Sequence, residues 1–472
     1  MRGDIVKKVI KLIVVSLLVF SCVVAFANSG PVYMTGRPST GLLAVDKNSP
    51  IEVKKENLTF DFSGEEEHYA PIGIVTAEYE MVNPNAENLS VQMAFPYVGN
   101  IASASNDSIK IIADNEELLY KVYLGEIVKS SNSINNSEET DENYFDFDEI
   151  VGTITDDIYL AQNFTGDEIG KLYTIEVTPE TDEGVEIFVD LIFDNNKTNV
   201  FTTGFRGLNR VGEKTIIHGW SREPNTLYIY ILGEDIDFSI EGYIDGNRNE
   251  KTDAYKYEIS ETKEDVKTYL LQTIRNNSYV SYDNISDIQL YNLFAKVMDE
   301  QFSNNLGYCS DDELLSYGNS YRMITLVYTV NFPKNTEKTV SVSYETSGTM
   351  DRRKTKEPIY TYDYILNPAA NWNDFKNLNI KIIPPEKSPY VVERSIELNK
   401  EDHIYTASIE SLPEGDFTFT LYHKDKVTAM DMFEKEMSNV LGVLFMFWPI
   451  IMLFVFVIVI ILIFTSAVKK NN

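Results

Sequence analysis

The sequence predicts a mainly β protein: two antiparallel β-sandwich-like domains with a short helical insertion, followed by one C-terminal transmembrane helix. Three observations carry that prediction. Apolar residues alternate with polar ones in many short runs, the period of a strand with one buried and one wet face. Turns rich in Gly, Pro, Asn and Asp separate those runs, and helical periodicity is scarce between them, which favours sandwiches over a doubly wound sheet. An uncharged apolar stretch of 25 residues, 440–464, lies near the C-terminus. At about 1.5 Å per residue it is long enough to cross a hydrocarbon core of about 30 Å.

Residues 1–27 have the make-up of a signal peptide. Arg2, Lys7, Lys8 and Lys11 precede the apolar stretch 12–24, and Ala25-Phe26-Ala27 offers the small residues Ala25 and Ala27 to a signal peptidase. Lipidation at Cys22 competes with cleavage, but Phe20 is bulky where a small residue is usual and the apolar run continues past the cysteine. An uncleaved signal anchor is the other alternative.

Residues 28–250 form the N-terminal β-rich ectodomain. The runs 58–62, 75–81 and 89–93 alternate cleanly and read as an antiparallel meander. Asn83-Pro84-Asn85 turns the chain back, because Pro cannot donate to a ladder and Asn accepts tight-turn dihedrals. Residues 130–142 are polar without apolar period and read as a long loop. The strand pattern returns at 185–193 and 226–232.

Residues 251–426 form a second β-rich ectodomain around a helical segment near 286–304. There Ser286 and Gln289 predict a capping box, and Leu290, Leu293, Phe294 and Val297 share one helical face. A second, less regular helix is expected over 262–275. Strands follow at 323–332, 339–344 and 417–421. Residues 427–447 are expected as a juxtamembrane helix and 448–468 as the span. Trp448 suits the membrane interface, and Pro449 suits the first turn of a helix because its missing N–H would be unpaired there anyway. Lys469 and Lys470, in the short tail 469–472, stay cytoplasmic by the positive-inside rule. The implied address is the cell membrane, single-pass, with the ectodomain outside and the lipid bilayer as a partner of the C-terminal helix.

Composition narrows the partners. The formal net charge of −31 repels nucleic acid and anionic lipid, so neither is an expected ligand. Of the two cysteines, Cys22 leaves with the leader and Cys309 stands alone. Stability therefore has to come from the apolar core rather than from disulfides; the ectodomain is long enough to bury one unaided.

Several short motifs resemble a family of uncharacterised, exported, membrane-anchored bacterial proteins of clostridial type. They are Thr40-Gly41-Leu42-Leu43, Leu58-Thr59-Phe60, Glu78-Tyr79, Asn83-Pro84 and Ala94-Phe95-Pro96 within residues 39–96. In the second half, Val327-Tyr328-Thr329-Val330-Asn331-Phe332, Val340-Ser341-Val342-Ser343-Tyr344, Tyr364-Ile365-Leu366-Asn367-Pro368-Ala369, Trp372 and Leu412-Pro413-Glu414-Gly415-Asp416-Phe417 follow the same order. The resemblance implies a shared fold and an exported location. It supplies no activity and no catalytic residues.

Motifs for chemistry are sparse. His68, His218, His403 and His423 show neither helical i, i+4 spacing nor an HxH arrangement, so no zinc site is predicted. No nucleophile elbow and no phosphate-binding loop occurs. Ser260-Glu261-Thr262-Lys263 matches Ser-x-x-Lys but lacks the partner motifs of that chemistry. Asp245, Asn247 and Asn249 place oxygen side chains at positions 1, 3 and 5 of a calcium-type loop, with Asp253 at position 9. Glu250 stands where that loop wants Gly and Lys256 where it wants a bidentate Glu, so a plain hairpin turn accounts for the run better than Ca2+. Seven carboxylates between Glu138 and Glu149 offer a second cation candidate against the reading of a solvated loop. Arg352, Arg353, Lys354 and Lys356 form a basic cluster, and Trp220 and Trp372 could stack on sugar rings if exposed. The expected role is a non-enzymatic binding or structural surface module, with a cell-surface protein or wall glycan as partner. The alternative is an exported carboxylate-dependent hydrolase or transferase.

Overall fold

Where the alternation is strongest it becomes strand. In a computed structural model, which describes residues 32–64, 70–104, 109–128, 146–276 and 281–437, the run 58–62 lies in Glu52–Asp61, 75–81 in Ile72–Val82 and 89–93 in Leu89–Gly99. The later runs fall in Val185–Ile192, Asn225–Gly233, Arg322–Phe332, Glu337–Ser347 and Phe417–Tyr422. The principal helix is Asp287–Asn304, capped by Ser286. Its predicted capping box is only half formed. Ser286 accepts from Gln289 N, but the Gln289 side chain turns away to accept from Leu124 N at 3.2 Å and donate to Thr155 O at 2.7 Å. The helix expected over 262–275 begins only at Val266. Residues 262–265 complete the strand Tyr255–Asp265, and Asp265 caps the helix by accepting from Thr268 N.

The mainly β character stands, but two antiparallel sandwiches in succession do not. Glu52–Asp61 pairs in parallel with Asp374–Ile383, and Thr198–Thr203 pairs in parallel with Tyr308–Ser310. Strands from the two halves of the chain share sheets: Ile72–Val82 with Glu337–Ser347, and Leu89–Gly99 with Arg322–Phe332. The meander also breaks, since Leu89–Gly99 leaves its neighbour for a different sheet. Asn83 fixes that corner: fully buried, its amide donates to Glu87 O, Phe332 O and Pro333 O at 2.9, 3.2 and 3.1 Å. Among the described residues no helix is long and apolar enough to cross a membrane; residues 429–437 are helical, and the span expected at 448–468 lies outside the described residues.

By its internal contacts the chain divides into two units, one of residues 1–34, 350–358 and 430–472, the other of 35–349 and 359–429. In the described part of the first, Tyr33–Met34 pairs antiparallel with Met350 and Asp351. The basic cluster sits there, with Arg353 forked on Asp351 and lying 4.2 Å above the Tyr33 ring.

The second unit holds the large core. Phe60 and Phe62 on one sheet meet Tyr362, Phe417 and Phe419 on another with ring centroids 4.6–6.3 Å apart. Leu290 and Phe294 of the long helix join the same cluster. The same unit contains one true sandwich. One of its sheets runs Tyr255–Asp265, Ile169–Pro179, Asn225–Gly233, Thr198–Thr203 and Tyr308–Ser310; the other runs Gly207–Val211, Lys214–Ser221, Val185–Ile192, Asp237–Tyr243 and Lys251–Thr252. Ile175, Val177, Ile187, Val189, Ile217 and Ile229 fill the space between them. The helix Val266–Arg275 covers the back of the first sheet, stacking Tyr269 on Tyr230 at 4.4 Å. The back of the second sheet carries polar and aromatic side chains.

Candidate functional site on the outer face of the sandwich

Strand alternation builds this face. Along Val185–Ile192, Ile187 and Val189 point into the sandwich, so Glu186, Phe188 and Asp190 point out. Register brings their neighbours alongside: Glu186 lies opposite Trp220 and Tyr243, and Phe188 lies opposite His218 and Glu241. His218 Nδ1 is 2.6 Å from Glu186 Oε1. The imidazole stacks on Phe188 with centroids 4.8 Å apart and planes 18° from parallel. Gly207 is its other neighbour across the sheet. A Cβ at that glycine would fall 1.8 Å from Nε2, so only glycine lets the ring lie where it does.

The run 245–253, weighed as a calcium loop against the preferred hairpin turn, belongs to the same face, its turn joining the paired strands Asp237–Tyr243 and Lys251–Thr252. Asp245 accepts from Asn249 N, Asn249 Nδ2 and Glu250 N at 2.9, 2.9 and 3.1 Å, which closes the turn and holds its carboxyl below the usual range. These donors occupy the oxygens a cation would use. Among the described residues no three His, Cys, Asp or Glu side chains are grouped to hold a metal ion. What the turn presents instead is Arg248, at φ 56°. Its guanidinium lies over the Phe188 and Tyr243 rings at 5.0 and 5.4 Å and bonds Asp190 and Glu241, each at 2.7 Å. Lys214 reaches Asp190 at 3.3 Å, while Lys251 and the Tyr243 hydroxyl reach Glu241 at 2.8 and 2.7 Å. Hydrogen bonds from Lys251, Tyr243 and Arg248 hold Glu241 down to about 2. Beneath this network Phe188, Ile216 and Tyr243 form a small buried cluster.

The arrangement is a charge-satisfied, ordered surface with an indole at one end. Trp220 is 38% exposed, and Gly184, at φ 86°, lies against its Nε1. Beyond Lys214, the other end opens into a recess of about 620 Å³ lined by Asp194, Arg210, Glu234, Asp235 and Asp237 among others. A carboxylate fixed as an anion by cations can orient a polar ligand but is a poor proton donor. Of the carboxyls raised by burial, Glu56 is buried in the core, Asp311 and Asp363 are half-buried, and none belongs to this network.

Other predicted residues fall elsewhere. Trp372 is a core residue, 6% exposed, donating Nε1–H to Leu42 O at 3.2 Å. Ser260 and Lys263 lie on a strand, where a spacing of three puts them on opposite faces. Of the carboxylate run, Asp146 caps the helix Phe147–Gly152 and Asp148 pairs with Lys47; the rest up to 145 lies outside the described residues. Ala25, Ala27, His68, Trp448, Pro449, Lys469 and Lys470 also lie outside them. The Glu186–His218 contact and the role of Arg248 escaped sequence reasoning, because register rather than spacing joins residues 32 positions apart.

No protein-family model and no curated protein matches the chain. Among solved structures it has a distant similarity to a candidate nutrient binding protein from Legionella pneumophila. Identity is 8%, the TM-score is 0.35, and the match covers 83% of this chain and 72% of that one. A likeness at that level carries no argument about fold or function.

Proposed function

We propose that the protein is an exported, non-enzymatic binding module whose recognition face is the outer surface of the second sandwich sheet, and that its ligand is a wall glycan stacked on Trp220. The observation that carries this reading is the 38% exposed indole on a sheet face where Phe188, Tyr243, Asp190, Glu241 and Arg248 already partner one another. An amphipathic indole surface offers a sugar ring apolar contact while the polar side chains around it take the hydroxyls. The leader-like N-terminus and the acidic composition support a site of action outside the cell.

The test is sedimentation of the full-length protein with cell wall freed of protein. Trp220→Ala is expected to lower the bound fraction about tenfold, the loss of an aromatic anchor, and Trp220→Phe to retain most of it. Wild-type binding by Trp220→Ala would remove the proposal.

A further inference from the structure

We propose that the sugar taken at Trp220 is anionic, its ring on the indole and its carboxylate or phosphate on the guanidinium of Arg222; the inference rests on the glycan reading of this face. On a chain of net charge −31, arginines are mostly committed. Arg248 serves Asp190 and Glu241, Arg275 serves Asp287, Arg353 serves Asp351 and Arg394 serves Glu397, while Arg210 and Arg322 bond backbone carbonyls. Arg222 is exposed and has no ion pair or hydrogen bond through its side chain among the described residues.

Its position is set by Gly184. A Cβ built there would lie 2.9 Å from Arg222 Cγ and 3.0 Å from Trp220 Nε1. The arginine stem and the pyrrole edge of the indole therefore share the backbone of one glycine, whose φ of 86° disfavours any other residue. Glu183, next to Gly184 in the chain, and Glu223, next to Arg222, are both exposed and neither is paired with Arg222, while Glu186 is held by His218 at 2.6 Å. A free planar fork beside an aromatic plate matches a ring that carries a carboxylate or phosphate, because the fork takes two oxygens at once. The acidic remainder of the chain repels anions in general, so affinity for one has to come from such a local feature.

The test is isothermal titration of the full-length protein with four probes: a galacturonate pentamer, its neutral methyl ester, mannopentaose phosphate and neutral mannopentaose. At least one anionic probe is expected to bind about tenfold tighter than its neutral parent, as for a charged hydrogen-bonded contact. Which pair shows the preference tells carboxylate from phosphate. Arg222→Gln is expected to erase that preference, and Arg394→Gln, an equal loss of charge far along the chain, to keep it. Equal affinities for anionic and neutral probes in the wild type, or a preference that survives Arg222→Gln, overturns this inference while leaving the glycan reading in place. Absence of binding to all four probes, or sugar binding that Trp220→Ala does not change, overturns both.

Discussion

Glu56 is a carboxyl in the core, 1% exposed, accepting from the Tyr364 hydroxyl at 3.0 Å, with the Tyr79 hydroxyl a further 3.3 Å along. Burial pushes it up from 4.5 to about 7 against the lowering effect of the tyrosines. A carboxyl raised in the folded state contributes stability fully below its unfolded value, and that contribution is lost as pH climbs through the folded one. The wild type should therefore lose on the order of 3 kcal/mol between about pH 4.5 and pH 7 relative to Glu56→Gln, whose neutral amide has no such titration. Denaturant midpoints at pH 5 and pH 8 check it; parallel profiles for the two proteins would contradict it. A trace of this residue was legible, since Glu56 takes a core position two residues before Leu58 and four before Phe60. Its tyrosines were not, because residues 79 and 364 reach it only through the fold.

Among the elements, the helix Asp287–Asn304 is held to the chain before the sandwich by Gln289, Asn292 and Asp299, and Asp299 makes the most bonds. Asp299 accepts from Gln162 N and Asn163 N at 2.9 Å each, from Asn163 Nδ2 at 2.7 Å and from the Tyr159 hydroxyl at 2.9 Å. Burial alone would raise its carboxyl, but these donors bring it below the ordinary value. Asp299→Ala leaves the part-buried N–H groups of Gln162 and Asn163 without their acceptor and is expected to cost roughly 1–3 kcal/mol. Limited proteolysis should then cut within 156–163 well before the wild type is touched; unchanged cleavage kinetics would count against the clamp. The helix itself was legible from its apolar spacing. The short helix Asp311–Gly318 was not, although Ser310 and Glu313 form the capping box that Ser286 and Gln289 only half complete. Eight residues hold too few apolar positions to show a period.

For the molecule as a whole, alternation told which segments are strands and could not tell which strands pair. Alternation is a local consequence of one buried face, whereas pairing between Glu52–Asp61 and Asp374–Ile383 is decided by a core assembled from both halves of the chain. A chain ending at residue 250 lacks the partners of Glu52–Asp61, Ile72–Val82 and Leu89–Gly99 in 374–383, 337–347 and 322–332. It is expected to show no cooperative unfolding and to aggregate through its open edges; a sharp thermal transition in that fragment would contradict this. The binding account depends on the same assembly, which leaves Trp220 on an open sheet face while Trp372 is locked inside. The most direct test is fluorine NMR of the full-length protein labelled with 5-fluorotryptophan and titrated with a galacturonate pentamer or mannopentaose phosphate. The Trp220 resonance, assigned by its loss in Trp220→Phe, should shift and saturate while that of Trp372 stays fixed. A Trp220 signal unmoved by every glycan that binds the protein would contradict the account.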